Sequence, residues 1–428
     1  MISIAELHQY FLQSTGAVTD TRKIQAGQIF FALKGPSFNG NAFAWQACQM
    51  GASYAVIDDP DYAISEKMLL VPDVLKALQE LALYHRNTFK IPVLAITGSN
   101  GKTTTKELVH AVLSTTYTTY TTQGNLNNHI GVPLTLLSIK SDAEMAVIEM
   151  GANHQKEIES YCSFTAPTHG LVTNCGKAHL EGFGGIEGVR KGKGELFDYL
   201  RAHDGIAFAA SDFDYFPSMV AGINTVHWYG TQTGNVTGHA IQSEPFLQVQ
   251  IEKGFSQSKQ VNTQLVGAYN IYNVLAAVAV GVHFGVPEEK IVYALESYLP
   301  TNSRSQLVEM NGNKIILDAY NANPSSMAVA IENFAGLHAE NKMLLLGGMM
   351  ELGETSRQEH QQLVALIQKY NWKEVVLVGG DFAHVDHPFR YFENATAAAA
   401  WWQQKACTNC YLLIKGSRSM QMEKIIQS

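Results

Sequence analysis

A compact apolar run, Ile91–Ile96, leads into Thr97-Gly98-Ser99-Asn100-Gly101-Lys102-Thr103-Thr104-Thr105, and a helical pattern follows from about Thr104 to Ser114. No other feature limits so strongly what this chain can fold into. A short apolar run bounded by turn residues reads as a buried parallel strand. Strand, glycine-rich turn and helix together open a βαβ unit. The glycines let backbone N–H groups turn inward as an anion nest, and the helix N-terminus adds partial positive charge. In such a loop Lys102 reaches the β and γ phosphates of a nucleotide, and the Thr103 hydroxyl can ligate Mg²⁺. A merely structural turn has no use for Lys102. The usual G-x-x-x-x-G-K-[ST] pattern would place glycine at position 96, where Ile96 stands; the loop carries Gly98 and Gly101 instead. The next strand candidate, Glu144–Met150, carries Glu149 where an aspartate is usual, and the chain has no N-K-x-D guanine motif. The site reads as a variant nucleoside triphosphatase and not as a small GTPase.

The 428 residues are enough for two to four domains. With 46 % apolar and 16 % charged residues the composition is globular. Thirty basic against thirty-eight acidic residues leave a net charge of −8. That excludes a general nucleic-acid or anionic-membrane binder, so a phosphate ligand must be held by a local device. The N-terminus has no Lys or Arg before Arg22 and lacks the basic start of a signal peptide. Gln260 to Pro287 contains no Asp, Glu, Lys or Arg, but Asn270, Asn273 and His283 interrupt it, so it reads as a buried helix rather than a membrane span. A cytoplasmic protein is expected. The five cysteines, including the single CxxC at Cys407 and Cys410, are expected to be reduced thiols.

Three blocks emerge, all α/β. Residues 1–88 hold short strands at Gln28–Leu33 and Tyr54–Ile57 and close with a helix, Val74–Arg86. Residues 89–300 carry the phosphate loop, with strands at Glu144–Met150 and Leu171–Asn174 in a mostly parallel sheet. Residues 301–428 hold strand candidates Lys314–Asp318, Lys342–Leu346, Glu374–Val378 and Tyr411–Ile414, the pattern of a doubly wound, Rossmann-like domain.

Motifs in all three blocks resemble those of the Mur ligase family, the ATP-dependent amide-forming enzymes of peptidoglycan assembly. They are Asp20-Thr21-Arg22 with Gly27–Gly35 and Phe38-Asn39-Gly40; the phosphate loop itself; Gly124–Leu137; Glu149–His154; Thr173–Gly185; Lys191–Phe197; Ser303-Arg304-Ser305; Asp318–Met327; Gly347–Glu354; and Lys415–Met420. The family's usual Gly-Asp-Met appears as Gly348-Met349-Met350, without its acid. The resemblance implies a small UDP-binding first domain, a central ATPase domain and a C-terminal ligase domain. The Glu149–His154 and Asp318–Pro324 stretches resemble those of the member that joins D-alanyl-D-alanine to a UDP-muramoyl-tripeptide through an acyl phosphate.

The resemblance also assigns roles. ATP would be held by Gly98, Ser99, Asn100, Gly101, Lys102, Thr103 and Thr104, by Asn270 and Asn273 at the adenine, and by Arg304 and Asp318 from the third block. Asn270 and Asn273 lie one helical turn apart and share a face; two buried, mutually satisfied amides are the other reading. Thr21, Arg22, Lys34 and Gly35 would meet the UDP end. Asn125, Asn127, Asn128 and His129 would line the path to the reacting carboxylate, unless that run is a plain surface loop. Tyr320, Asn321 and Asn323 would lie near the nucleotide and acceptor. One or two Mg²⁺ would be bound by Thr103, Glu149, His179 and a CO₂-derived carbamate on Lys193, with Lys191 as the competing lysine. Catalysis would rest on Lys102, Glu149, His179 and Lys193. The expected partners are the UDP-muramoyl-tripeptide and D-Ala-D-Ala, with no nucleic acid or membrane, in a monomer. Competing readings are an amino-acid-adding ligase of the same superfamily, a folylpolyglutamate synthase, or a catalytically silent nucleotide-binding scaffold.

Overall fold

The computed structural model describes residues 1–300, 304–405 and 407–427. The expected boundary at Thr301 and the Ser303 of the third-block motif lie outside the described residues. The first block forms a four-stranded parallel sheet of Ala17–Val18, Ile29–Phe31, Tyr54–Ile57 and Met68–Leu70, in that order. Its closing helix is Val74–Arg86, where the apolar spacing places it, with Asp73 capping the N-terminus by accepting from Lys76 N–H at 2.7 Å. The buried face of this helix (Val74, Ala77, Leu78, Leu81, Ala82) shares one apolar core with the central sheet. Arg86 also donates to the backbone carbonyls of Thr165 and Ala166 at 3.2 Å. The first block is therefore fastened to the second.

The central sheet has nine strands. Val93–Thr97, Met145–Glu149 and His169–Val172 lie side by side and parallel, every residue of them buried, as their continuous apolar runs demand. Parallel pairing puts all their C-terminal ends at one edge, where open α/β sheets bind ligands. Beyond Thr225–Gly230 the sheet continues through Val236–Gln242 into an antiparallel extension, Gln248–Lys253 and Lys259–Asn262, which the sequence reading did not find. The uncharged stretch begins in strand Lys259–Asn262, and its middle forms helix Ile271–His283, buried against the phosphate-loop helix and the sheet. Among the described residues no helix is long and apolar enough to cross a membrane.

The third block is a six-stranded sheet in the order Gln306–Met310, Asn313–Asp318, Tyr411–Lys415, Lys342–Gly347, Glu374–Val378, Arg390–Phe392. All pairs are parallel except the first, a hairpin that adds an antiparallel edge strand. The cysteine expectation needs correction: Cys407 and Cys410 are joined as a disulfide, while Cys48, Cys162 and Cys175 are free. Three residues of separation brings the two Cα atoms within 6.7 Å, inside the reach of a bridge.

At the end of the central sheet away from the loop, His169 Nε2 lies 3.1 Å from His283 Nε2, and the His227 ring centre lies 4.4 Å from that of His283, with the ring planes tilted by 58°. Burial, then the neighbouring histidines, lowers His169 and His283 from 6.5 to about 4. The unfolded chain therefore takes up protons first. Stability is lost as pH falls below about 6.5 and the loss levels off below about 4. Allowing for the partial exposure of His283, we expect the cluster to account for about 3 kcal/mol over that window. Urea unfolding at pH 7.5 and pH 5, compared with a His169→Asn variant, checks this. An unchanged pH slope in the variant would remove the cluster from the account.

Candidate active site

Strand Val93–Thr97 delivers the loop, and helix Lys102–Ser114 leaves it. Gly98 (φ +141°) and Gly101 (φ +79°) hold conformations an L side chain rarely adopts; a Cβ would stand 2.0 Å from Thr173 Oγ1 at Gly98 and 2.6 Å from Asn273 Oδ1 at Gly101. This explains the glycine placement. Thr173 Oγ1 donates to the Asn100 carbonyl at 2.6 Å, Asn174 brackets Asn100 through both amide atoms, and Ser99 N–H donates to the Asn174 carbonyl at 2.9 Å. Asn174 is a prop that sequence reasoning missed, although it sits inside a quoted motif.

The loop opens onto a cavity of about 940 Å³. Lys102 lines it, its Nζ donating to the carbonyls of Gly98 at 2.7 Å and Ser99 at 3.1 Å. Burial lowers Lys102 to about 8; the Glu149 carboxylate opposes that shift and Arg304 adds to it. Glu149 closes its strand and is only 1 % exposed. Its Oε1 accepts from Asn127 Nδ2 at 2.7 Å, while Oε2 has no partner. A buried carboxylate oxygen left without a donor is costly unless a cation meets it. Thr103, in the first turn of the helix, lines the same cavity. Among the described residues no group of three or more His, Cys, Asp or Glu side chains could hold a metal ion. Glu149 and Thr103 fit a divalent cation completed by phosphate and water oxygens, the arrangement usual for Mg²⁺.

His179 also lines the cavity, with φ +52°, and its Nδ1 lies against the Glu351 carboxylate of the third domain. Of the two competing lysines, Lys191 is exposed and Lys193 is 1 % exposed. Lys193 does not line the cavity directly; its Nζ donates to the carbonyl of Ala152, which does, at 3.0 Å and lies 4.8 Å from the Phe183 ring centre. Burial, then Lys102, holds the Lys193 amine well below its ordinary value.

The remaining expectations divide. Asn125, Asn127, Asn128 and His129 line the cavity, and Asn128 Oδ1 also accepts from Gly131 N–H at 2.9 Å, at the start of the next helix. Asn270 and Asn273 reach the wall but are satisfied inside the protein: Asn273 Oδ1 accepts from Thr105 at 3.0 Å, and its Nδ2 donates to Asn270 at 2.8 Å. They brace the helix behind the loop. From the third domain, Arg304 lies 3.6 Å over the Tyr320 ring, and Asp318 accepts from Ser305 N–H at 3.2 Å and Lys415 Nζ at 2.5 Å. Lys415 was quoted only as part of a motif. Tyr320 and Asn321 line the cavity; Asn323 does too, but it caps helix Pro324–Gly336 and donates to Asn100 Oδ1 at 2.7 Å. Thr21, Arg22, Lys34 and Gly35 are not brought to this cavity: Arg22 pairs with Asp20 at 2.8 Å and Lys34 with Asp58 at 2.9 Å on the first domain's surface.

The Mur ligase middle domain matches residues 96–281, the Mur ligase, glutamate ligase domain matches residues 303–418, and the Mur ligase family, catalytic domain matches residues 14–86. The UDP-N-acetylmuramoyl-tripeptide–D-alanyl-D-alanine ligase of Bacillus subtilis is 34 % identical over 426 residues, covering 96 % of this chain and 92 % of that protein. The chain belongs to the Mur ligase family. The Escherichia coli protein of the same name is 35 % identical over 430 residues, with 96 % and 92 % coverage. Among solved Mur ligases, MurF from Acinetobacter baumannii superimposes with a TM-score of 0.88 at 30 % identity over 99 % of this chain and 98 % of that one. MurF from Thermotoga maritima in complex with ADP, at 24 % identity and a TM-score of 0.87 over 97 % of both chains, shares the fold. The three-part α/β architecture expected from the motifs is the one this Mur ligase has.

Proposed function

We propose that this Mur ligase joins D-alanyl-D-alanine to a UDP-N-acetylmuramoyl-tripeptide at the expense of ATP, in the cytoplasm, as a step of peptidoglycan synthesis. The observation that carries the reading is one cavity walled by the phosphate loop, the unpartnered Glu149 oxygen and the third-domain residues Arg304 and Asp318. It occurs in a chain alike over 96 % of its length to two ligases of that name. One chain builds the whole cavity, so the reading needs no second subunit.

The chemistry follows from charge. A carboxylate is a poor electrophile, so its oxygen attacks the γ phosphorus of ATP, the bond to ADP breaks, and an acyl phosphate forms. The dipeptide amine then attacks the acyl carbon and phosphate leaves. The first step brings two anions together, and preorganised positive charge is what lowers its barrier. In this reading Lys102 exchanges the Gly98 and Ser99 carbonyls for nucleotide phosphate oxygens, and Arg304 adds a second cation from the third domain. Glu149 and Thr103 would hold Mg²⁺, which would supply positive charge to offset the phosphate charge in that step. His179 keeps Nε2 for the same region, with Nδ1 taken by Glu351. Lys193 as a carbamate would supply further anionic oxygen. Thr21, Arg22, Lys34 and Gly35 would hold the UDP end, away from the chemistry.

Phosphate release with the UDP-muramoyl-tripeptide, ATP and D-Ala-D-Ala, set against single amino acids and glutamate, tests the reading. Turnover is expected with the dipeptide. Release with glutamate or a single amino acid alone would transfer the protein to another branch of the superfamily.

A further inference from the structure

The loop 174–181 has no regular structure until its last two residues, and it carries His179. One end braces the phosphate loop: Ser99 N–H donates to Asn174 and Ser99 Oγ to the Gly176 carbonyl, both at 2.9 Å. The other end is held by the third domain. Lys177 N–H donates to Ser325 Oγ at 2.9 Å, and Lys177 Nζ lies 2.7 Å from Glu359 Oε1. His179 pairs with Glu351, and at Gly353 a Cβ would already stand 3.2 Å from Glu181 Cβ. The Glu359 side chain is 9 % exposed, against 43 % for Lys177. The contact therefore ties a carboxylate largely shielded from water on the third domain to the loop. His179 (φ +52°) and Glu351 (φ +62°) both hold left-handed backbone without being glycine. Such conformations persist only where the surroundings impose them.

We propose that Lys177, Glu351 and Glu359 are positioning residues: the third domain uses them to pin the 174–181 loop, so that His179 and the phosphate loop reach working geometry together when that domain docks. This rests on the ligase reading above and deepens it. It also gives the Gly347–Glu354 run a task that does not need the missing acid, because Glu351 reaches His179 from it.

Kinetics of Glu359→Gln, Lys177→Met, their double variant and Glu351→Ala test the pin. Each single change is expected to lower kcat by about 10- to 100-fold, the penalty for misplacing groups around a reacting centre. KM for ATP should stay within about threefold, and the double variant should be no slower than its slower parent, because both changes cut one contact. A charge exchange, Lys177→Glu with Glu359→Lys, should recover part of kcat. If Glu359→Gln does not fold, Lys177→Met carries the test, since that side chain is half exposed. Wild-type turnover combined with unchanged kcat in the variants, or with losses that multiply, overturns the pin; absent wild-type turnover with the dipeptide instead overturns the ligase reading.

Discussion

Lys102→Met is expected to lower kcat by about 1,000-fold or more while leaving the fold intact. Methionine keeps the stem and removes only the ammonium. The ammonium's bonds in the protein are to two carbonyls of its own loop, Gly98 and Ser99, and these face a cavity that water can enter. The loop's shape is secured from elsewhere, by Thr173, Asn174 and the two positive-φ glycines. What is lost is a cation within range of Glu149 and Arg304, where a triphosphate and a second anion must meet. Single-turnover ADP formation measures the loss directly, and thermal unfolding shows whether the fold is retained. A variant with kcat within tenfold of wild type would show that other groups carry the charge.

The second large effect is expected at Lys193. Lys193→Ala should abolish turnover, by about 1,000-fold or more, and formate, acetate or propionate should restore part of it. Lys193 has no ion-pair partner among the described residues; it has one hydrogen bond, to Ala152, and an aromatic ring beside it. An unpaired ammonium in such a place is costly, and burial together with Lys102 accordingly favours the neutral amine. A neutral amine can add to CO₂, forming an N–C bond and releasing a proton, and the product is an anion beside Lys102 instead of a second cation. A ¹³C-bicarbonate experiment should give a carbamate resonance in the wild type that is absent from Lys193→Ala. Full activity in the variant would take Lys193 out of the site.

Much of this protein was legible before folding was considered. The phosphate loop was, because its strand, glycines, lysine and helix start are contiguous and each has a local reason to be there. Helix Val74–Arg86 and the strand segments of the third domain were, because apolar period and turn residues are short-range signals. The antiparallel extension of the central sheet was not: strands Val236–Gln242 to Lys259–Asn262 are mixed polar, and Val236–Gln242 buries its first three residues and exposes its last four instead of alternating. The disulfide was missed because reduced thiols are the default for a long chain with an odd cysteine count. The expectation for Asn270 and Asn273 left two readings; the hydrogen bonds seen are those of satisfied amides, spent on each other and on Thr105, at the wall of the cavity.

From the chain of letters alone came the class of fold, a nucleotide loop, and the set of side chains able to manage phosphate and carboxylate charge, for these depend on neighbours a few residues apart. Folding in three dimensions settled which lysine is sealed from solvent, which Glu149 oxygen has no donor, and that Glu359 reaches Lys177 across 182 residues of sequence. The reason is physical. Burial, and the charge balance that burial enforces, belong to surfaces brought together by packing, and no local pattern records which distant residue will arrive.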